Sequence, residues 1–63
     1  MKELLLNAGY KMISSCSCGG TYVEKYKKLT KVFEIKPNRK VWSLKVNGVF
    51  QSKGTADNIN EFI

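Results

Sequence analysis

Hydrophobic and polar residues alternate most regularly over residues 40–53, in two runs that flank Asn47-Gly48. Such alternation is typical of strands, and Asn-Gly favours a two-residue type I′ turn because both residues adopt positive φ cheaply. The turn predicts three cross-strand pairs: Val46 with Val49, Leu44 with Gln51, and Trp42 with Lys53. One face of this hairpin carries Trp42, Leu44, Val46 and Val49, and we expect it to be the core side. The other face carries Val41, Ser43, Lys45, Phe50 and Ser52.

A preceding strand is predicted over residues 30–36, with Phe33 and Ile35 on one side. Pro37-Asn38-Arg39 predicts a turn, because the fixed φ of proline matches the φ that a turn requires at this position. A loop over residues 37–40 predicts two further pairs that extend the apolar face: Ile35 with Trp42, and Phe33 with Leu44. Trp42 is therefore predicted to be a core residue.

Two more strands are predicted over residues 10–15 and 21–26, joined by a turn rich in Ser, Cys and Gly. Tyr10 and Met12 share one side of the first strand, and the second strand carries Tyr22, Glu24 and Tyr26 on one face. The sequence leaves open whether Lys27-Lys28-Leu29 forms a turn or a bulge.

Helical spacing predicts a short helix at each end of the chain. Residues 2–8 place Leu4, Leu5 and Ala8 on one stripe, and Gly9 occupies the position of a C′ glycine. Residues 55–63 are expected to begin at an N-cap, Thr55, and to lie across Trp42 and Leu44. The apolar face of this second helix consists of Ala56, Ile59, Phe62 and Ile63.

The expected fold is a single α+β domain over residues 1–63. It consists of a short N-terminal helix, an antiparallel β-meander of three to five strands, and a short C-terminal helix packed on one sheet face. The order helix, three strands, helix resembles that of the double-stranded-RNA-binding domain, a family that is also basic. The second helix of that family opens with a basic, alanine-rich segment that grips phosphates. Here the same place reads Gly54-Thr55-Ala56-Asp57-Asn58, which carries an acid, and no site residue is carried over.

Charge adds a candidate function to this fold. The 63 residues contain eleven Lys and Arg against five Asp and Glu, a net charge of +6, and seven of the eleven lie within residues 24–40. Basic side chains interleaved with aromatic ones can follow a phosphate backbone while rings stack on bases. The opposing interpretation is that lysines keep strand edges unpaired and the protein soluble. The candidate nucleic-acid-binding residues are Lys25, Lys27, Lys28, Lys31, Lys36, Arg39, Lys40, Lys45 and Phe50.

The two cysteines, Cys16 and Cys18, are separated by one residue, and the chain has no histidine. A disulfide over so short a separation is strained in an extended chain, so free thiols in a reducing compartment, the cytoplasm, are expected. Zinc requires about four ligands, so Cys16 and Cys18 form a metal site only if two chains share one ion. The opposing interpretation is a tight loop of small residues.

A non-enzymatic role is expected, because the sequence has no Ser/His/Asp set, no glycine-rich phosphate loop and no close pair of carboxylates. The leading hypothesis is a small basic binding module that contacts DNA or RNA through a lysine-rich surface of sheet and loops. The alternatives are a protein–protein interaction module or assembly subunit, of the kind found in phages and mobile elements, and a zinc-bridged dimer. No other cofactor, no small-molecule substrate and no membrane association are expected, since Leu4-Leu5-Leu6 is far too short to span a bilayer.

Overall fold

A computed structural model describes the backbone of residues 1–63 and every side chain except that of Cys18. Helix α1 spans Lys2–Asn7, and two short 3-10 turns span Cys18–Gly20 and Ile59–Glu61. The strands are β1 (Lys11–Cys16), β2 (Val23–Lys28), β3 (Lys31–Lys36), β4 (Val41–Val46) and β5 (Val49–Thr55). They form one antiparallel sheet in the order β1-β2-β3-β4-β5. The mixed α+β architecture and the meander are as predicted, whereas the C-terminal helix is not formed.

The register between β3 and β4 is the one that the sequence predicts. Ile35 pairs with Trp42 and Phe33 with Leu44, because the loop occupies residues 37–40. These four side chains are buried with Leu5, Tyr10, Tyr26 and Ile59. Three edge-to-face or tilted ring contacts cross this core, with centroid separations of 5.2 Å for Tyr10–Phe33, 5.6 Å for Phe33–Trp42 and 4.8 Å for Trp42–Phe62. Such contacts add to the free energy gained by burying the rings.

The β4–β5 hairpin departs from the predicted register beyond its turn. Asn47 and Gly48 both have positive φ, and Val46 pairs with Val49 as predicted. A bulge then inserts Gln51, so Leu44 pairs with Ser52 and Trp42 with Gly54. The predicted pairs of Leu44 with Gln51 and of Trp42 with Lys53 are therefore wrong. Because one extra residue reverses the alternation, Ser52 lies on the core side and Lys53 on the opposite face.

Helix α1 ends as predicted, with Gly9 in the left-handed region at φ 95°. The amide of Tyr10 then donates to the carbonyl of Leu5 over 3.0 Å. Only part of the predicted apolar stripe is in the core, since Leu5 is fully buried whereas Leu4 is 40% exposed. A helix of six residues can pack only about one turn against the sheet, and Leu5 is the helix residue that this packing buries.

The C-terminal segment packs where the predicted helix was expected but in another conformation. Ile59 is buried, and the ring of Phe62 lies 4.8 Å from that of Trp42. Thr55 is the last residue of β5 rather than an N-cap. The backbone amide of Thr55 donates to Oδ1 of Asn58 over 3.0 Å, and the indole Nε1 of Trp42 donates to the carbonyl of Thr55 over 2.7 Å. The amide of Asn58 donates to the same carbonyl of Thr55 over 3.2 Å, which closes a tight turn where an α-helix would use the amide of Ile59 as donor. The order that resembled the double-stranded-RNA-binding domain is not kept.

Cys16, the last residue of β1, is disulfide-bonded. The prediction of a free thiol at Cys16 is therefore wrong. The strain expected of such a disulfide holds for extended backbone, whereas the chain turns through Cys18–Gly20 with Gly19 at φ 63°. The corresponding prediction for the thiol of Cys18 lies outside the described side chains.

The turn between β2 and β3 generates the first prediction. Leu29 has a φ of 56° and is 84% exposed, so it stores backbone strain without contributing to the core. Leu29→Gly is expected to raise the free energy of unfolding by about 0.5–1 kcal/mol, because glycine adopts this conformation without a Cβ clash. Urea unfolding measures the change. Leu29→Ala is the matched control, because it shortens the side chain but keeps the Cβ, and equal stability of the two variants would contradict the interpretation.

Gly54 generates the second prediction. A Cβ on Gly54 would overlap Oδ1 of Asn58, which accepts hydrogen bonds from the indole of Trp42 and the amide of Thr55. Gly54→Ala and Asn58→Ala are each expected to lower the free energy of unfolding by about 1–2 kcal/mol through loss of these bonds. The double variant is expected to cost little more than either single change, which denaturant unfolding of all four proteins tests. Additive losses would show that Gly54 does not act through Asn58.

Candidate nucleic-acid interface

The open face is defined here as the side of the sheet opposite the core. Successive side chains of a strand alternate between faces, so the cross-strand pairs assign each strand residue to one of them. This assignment places six lysines and one acid, Glu34, on the open face. The six are Lys11, Lys25, Lys27, Lys36, Lys45 and Lys53.

The open-face side chains form rows that cross the sheet. The first row runs Lys11, Lys27, Val32, Lys45, Phe50, and the second runs Ser14, Lys25, Glu34, Ser43, Lys53. At about 4.8 Å between neighbouring strands, each row is about 19 Å long. Consecutive rows lie about 7 Å apart along a strand. The rows therefore interleave ammonium groups with apolar and hydroxyl side chains over one continuous surface.

Phe50 and a shallow groove are two features of this face that a flat ligand could contact. The ring of Phe50 is 54% exposed at the end of the first row. The groove has a volume of about 480 Å³, within the range of ligand sites. Its lining on the open face consists of Glu34, Lys36, Val41, Ser43, Lys53 and Thr55. The floor is formed by β4, and a lysine stands on each side of it.

The structure gives Lys28 and Lys31 different surroundings from the other predicted lysines. Both lie on the core side of the sheet, because Lys28 follows the buried Tyr26 by two residues and pairs with Lys31, which precedes the buried Phe33 by two. Nζ of Lys28 donates to the carbonyl of Ala8 over 2.7 Å, at the C-terminal end of α1, and lies 5.8 Å from the ring centroid of Tyr10. A cation at that end of a helix is favourable. Lys28 thus fastens α1 to the sheet.

Lys31 holds the other end of the chain, because its Nζ lies 3.5 Å from the carbonyl oxygen of Phe62. Arg39 and Lys40 are exposed in the turn between β3 and β4, and the strand alternation does not assign them to a face. The carbonyl of Lys40 accepts a hydrogen bond from the amide of Ala56 over 2.9 Å. The basic segment over residues 24–40 is therefore divided among the open face, the core side and a turn.

Sequence reasoning missed two lysines of the open face, Lys11 and Lys53. Lys11 faces Lys27 on β2, and Lys53 faces Ser43 on β4. The alternation of inward and outward side chains along β2 and β4 could be read from the sequence. Along β5 the bulge at Gln51 reverses that alternation, so Lys53 lies on the open face. The bulge leaves no signal in the hydrophobic pattern, so the position of Lys53 required the structure.

A second cavity, of about 560 Å³, lies on the core side between the 37–40 turn and the ends of the chain. The carboxylate of Glu24 lines it and is buried, with 6% of the residue exposed. Tyr22 donates its hydroxyl proton to Oε2 over 2.7 Å, and Tyr26 donates to Oε1 over 3.1 Å. Both carboxylate oxygens are therefore hydrogen-bonded, which explains how an acid is accommodated beside the core. Glu24 thus joins the hydroxyl groups of Tyr22 and Tyr26.

The cysteine turn was the candidate metal site. Among the described residues, no three His, Cys, Asp or Glu side chains form a group that could hold a metal ion. Cys16 is in a disulfide and in that form offers no thiolate, so the shared-zinc alternative requires the reduced chain.

Comparison of the chain with protein-family models, with curated proteins and with solved structures finds no match. None of the helices in the described part of the chain is long and apolar enough to cross a membrane.

The hydrogen bonds to Glu24 generate the third prediction. Burial, as the largest cause, and the hydrogen bond to Glu24 together raise the pKa of Tyr26 to about 12. The folded protein thus keeps a phenolic proton that unfolded tyrosine loses near pH 10. The resulting stabilisation is present in full below pH 10 and is lost as the pH rises from 10 to 12. Denaturant unfolding over this range should show the loss.

Tyr26→Phe is the matched control, because it keeps the ring and removes the titrating group. The difference in free energy of unfolding between the wild type and Tyr26→Phe is expected to shrink as the pH rises from 10 to 12. A constant difference would show that the Tyr26 hydroxyl is not held in its protonated form by the fold. An ultraviolet titration of tyrosinate, compared between the two proteins, identifies the group directly.

Proposed function

We propose that the chain is a non-enzymatic binding module that holds nucleic acid on the open face of its sheet. The observation that carries the proposal is the register, which collects six lysines around one acid on a single face. Nucleic acid is a dense row of negative charges, and lysines that neutralise phosphates gain free energy by releasing its condensed counterions. Nucleic acid therefore complements this face in charge and in extent.

The placement of the lysines favours a ligand over a purely solubilising role. Lysines that protect a sheet from aggregation are expected at its edges, whereas Lys25, Lys27, Lys36 and Lys45 lie on the interior strands β2, β3 and β4. Lys27 also faces Lys11 directly on β1, and like charges in opposite positions repel each other and lower stability. A polyanion relieves that repulsion.

The second candidate function is binding of another protein through a sheet edge. β1 is an edge strand whose six residues are all exposed, and Ile13 at its bulge is 54% exposed. Exposed apolar residues on an unpaired edge can add a strand from a partner. This contact does not use the lysines of the interior strands, so charge reversal on the open face separates the two functions.

Lys45→Glu is the fourth prediction. Lys45 stands between Val32 and Phe50 in the first row and is exposed. The variant is expected to weaken binding of mixed-sequence DNA and RNA, and to reduce the slope of log affinity against log salt by about 1. Fluorescence anisotropy of labelled oligonucleotides at several salt concentrations measures both quantities.

Lys2→Glu is the matched control, because it changes the net charge by the same amount. Lys2 is exposed on α1, which packs on the core side, and an acid at the start of a helix is favourable. This variant is expected to keep the wild-type salt slope. Equal effects of the two variants would indicate attraction by net charge alone, and absence of binding by the wild type at low salt would overturn the proposed function.

A further inference from the structure

We infer that the open face binds single-stranded nucleic acid. One base stacks on Phe50, and a neighbouring base lies in the groove between Lys36 and Lys53, where Glu34 selects a base that carries an exocyclic amino group. This inference rests on the proposed function and adds the class of nucleic acid and the base that it prefers.

The exposed ring and the groove favour unpaired bases. The bases of a duplex are stacked on one another and covered by the backbone, so a flat sheet would meet phosphates with Phe50 and Val41 as well as with its lysines. Single strands instead expose base faces that stack on aromatic side chains. The cations of this face are lysines, whereas bidentate reading of paired bases in the major groove relies chiefly on arginine.

The distances along β4 fit two neighbouring bases. Phe50 lies opposite Lys45, while the groove begins two residues along β4 at Ser43, about 7 Å away. Val41 gives the floor of the groove an apolar surface for a base, and Lys36 and Lys53 flank it. A strand that crosses these rows can therefore place its bases on apolar surface and its phosphates near ammonium groups.

Glu34 gives the groove its selectivity. It is the one acid that the strand alternation assigns to the open face. It stands between Lys25 on β2 and Ser43 on β4, and Ser43 also lines the groove. A carboxylate accepts hydrogen bonds and repels the carbonyl oxygens of a base. It accepts from the amino group of cytosine, whereas uracil presents a carbonyl oxygen at the same position.

The test measures binding of the intact chain to labelled oligomers of cytidine and of uridine and to a duplex of matching length, by fluorescence anisotropy at fixed low salt. The cytidine oligomer is expected to bind at least about five-fold more tightly than the uridine oligomer, and more tightly than the duplex. Glu34→Gln is expected to remove the preference for cytidine, because the glutamine amide both donates and accepts hydrogen bonds. The same variant is expected to bind both oligomers more tightly, because it has lost a negative charge.

Phe50→Ala is expected to weaken single-strand binding about five-fold or more through loss of stacking. Leu29→Ala also shortens an exposed apolar residue but lies outside the open face, so it is expected to leave affinity unchanged. Three outcomes would each overturn the inference while the proposed function stands. They are duplex binding as tight as that of the cytidine oligomer, equal affinity for the cytidine and uridine oligomers, and wild-type affinity of Phe50→Ala for single strands. Failure of every oligomer to bind would overturn both.

Discussion

The indole of Trp42 fixes the sheet, the aromatic core and the C-terminal segment to one another. Its ring contacts Phe33 on one side and Phe62 on the other, and its N–H donates to the carbonyl of Thr55 and to Oδ1 of Asn58. A buried indole N–H without a partner would carry a desolvation cost. The chain after β5 must therefore turn back over β4, and it does so through a turn at residues 56–58 followed by the 3-10 turn Ile59–Glu61.

This constraint extends to the opposite face of the sheet. Asn58 reaches the indole only because Gly54, which has no side chain, lies across from Trp42. The bulge at Gln51 brings Gly54 to that position and, by the same one-residue shift, moves Lys53 to the open face. A strand without the bulge would place Lys53 against the core. The packing of Trp42 and the charge of the open face are thus coupled through the register of one strand.

Local turn chemistry explains what could be predicted from the sequence. The loop that contains Pro37 sets the pairing of Phe33 and Ile35 with β4, and Asn47-Gly48 sets the turn between β4 and β5. The centre of the core therefore followed from residues close in sequence. The bulge at Gln51 and the turn after β5 instead accompany the hydrogen bond between Trp42 and Asn58, which joins residues 16 positions apart. Helix periodicity over residues 55–63 was real, but so short a helix is weak alone and loses to those contacts.

The distribution of charge along the sequence does not assign the lysines to faces, for a related reason. Lys28 and Lys31 belong to the basic segment by sequence, yet their ammonium groups lie at the carbonyls of Ala8 and Phe62. These contacts hold the two ends of the chain on the core side. A count of charges cannot distinguish a lysine that fastens backbone from one that faces solvent, because the difference lies in which face of the strand it occupies.

The two edge strands bear on the choice between ligands. β1 and β5 are each interrupted by a bulge, and each carries an open-face lysine, Lys11 or Lys53. Bulges and edge lysines both oppose the addition of a further strand, so the edges are already protected without the lysines of the interior strands. Edge protection does not account for the lysines of the interior strands, of which Lys27 faces another lysine, Lys11, directly. Under the proposed function these lysines neutralise the phosphates of a polyanion and release its condensed counterions.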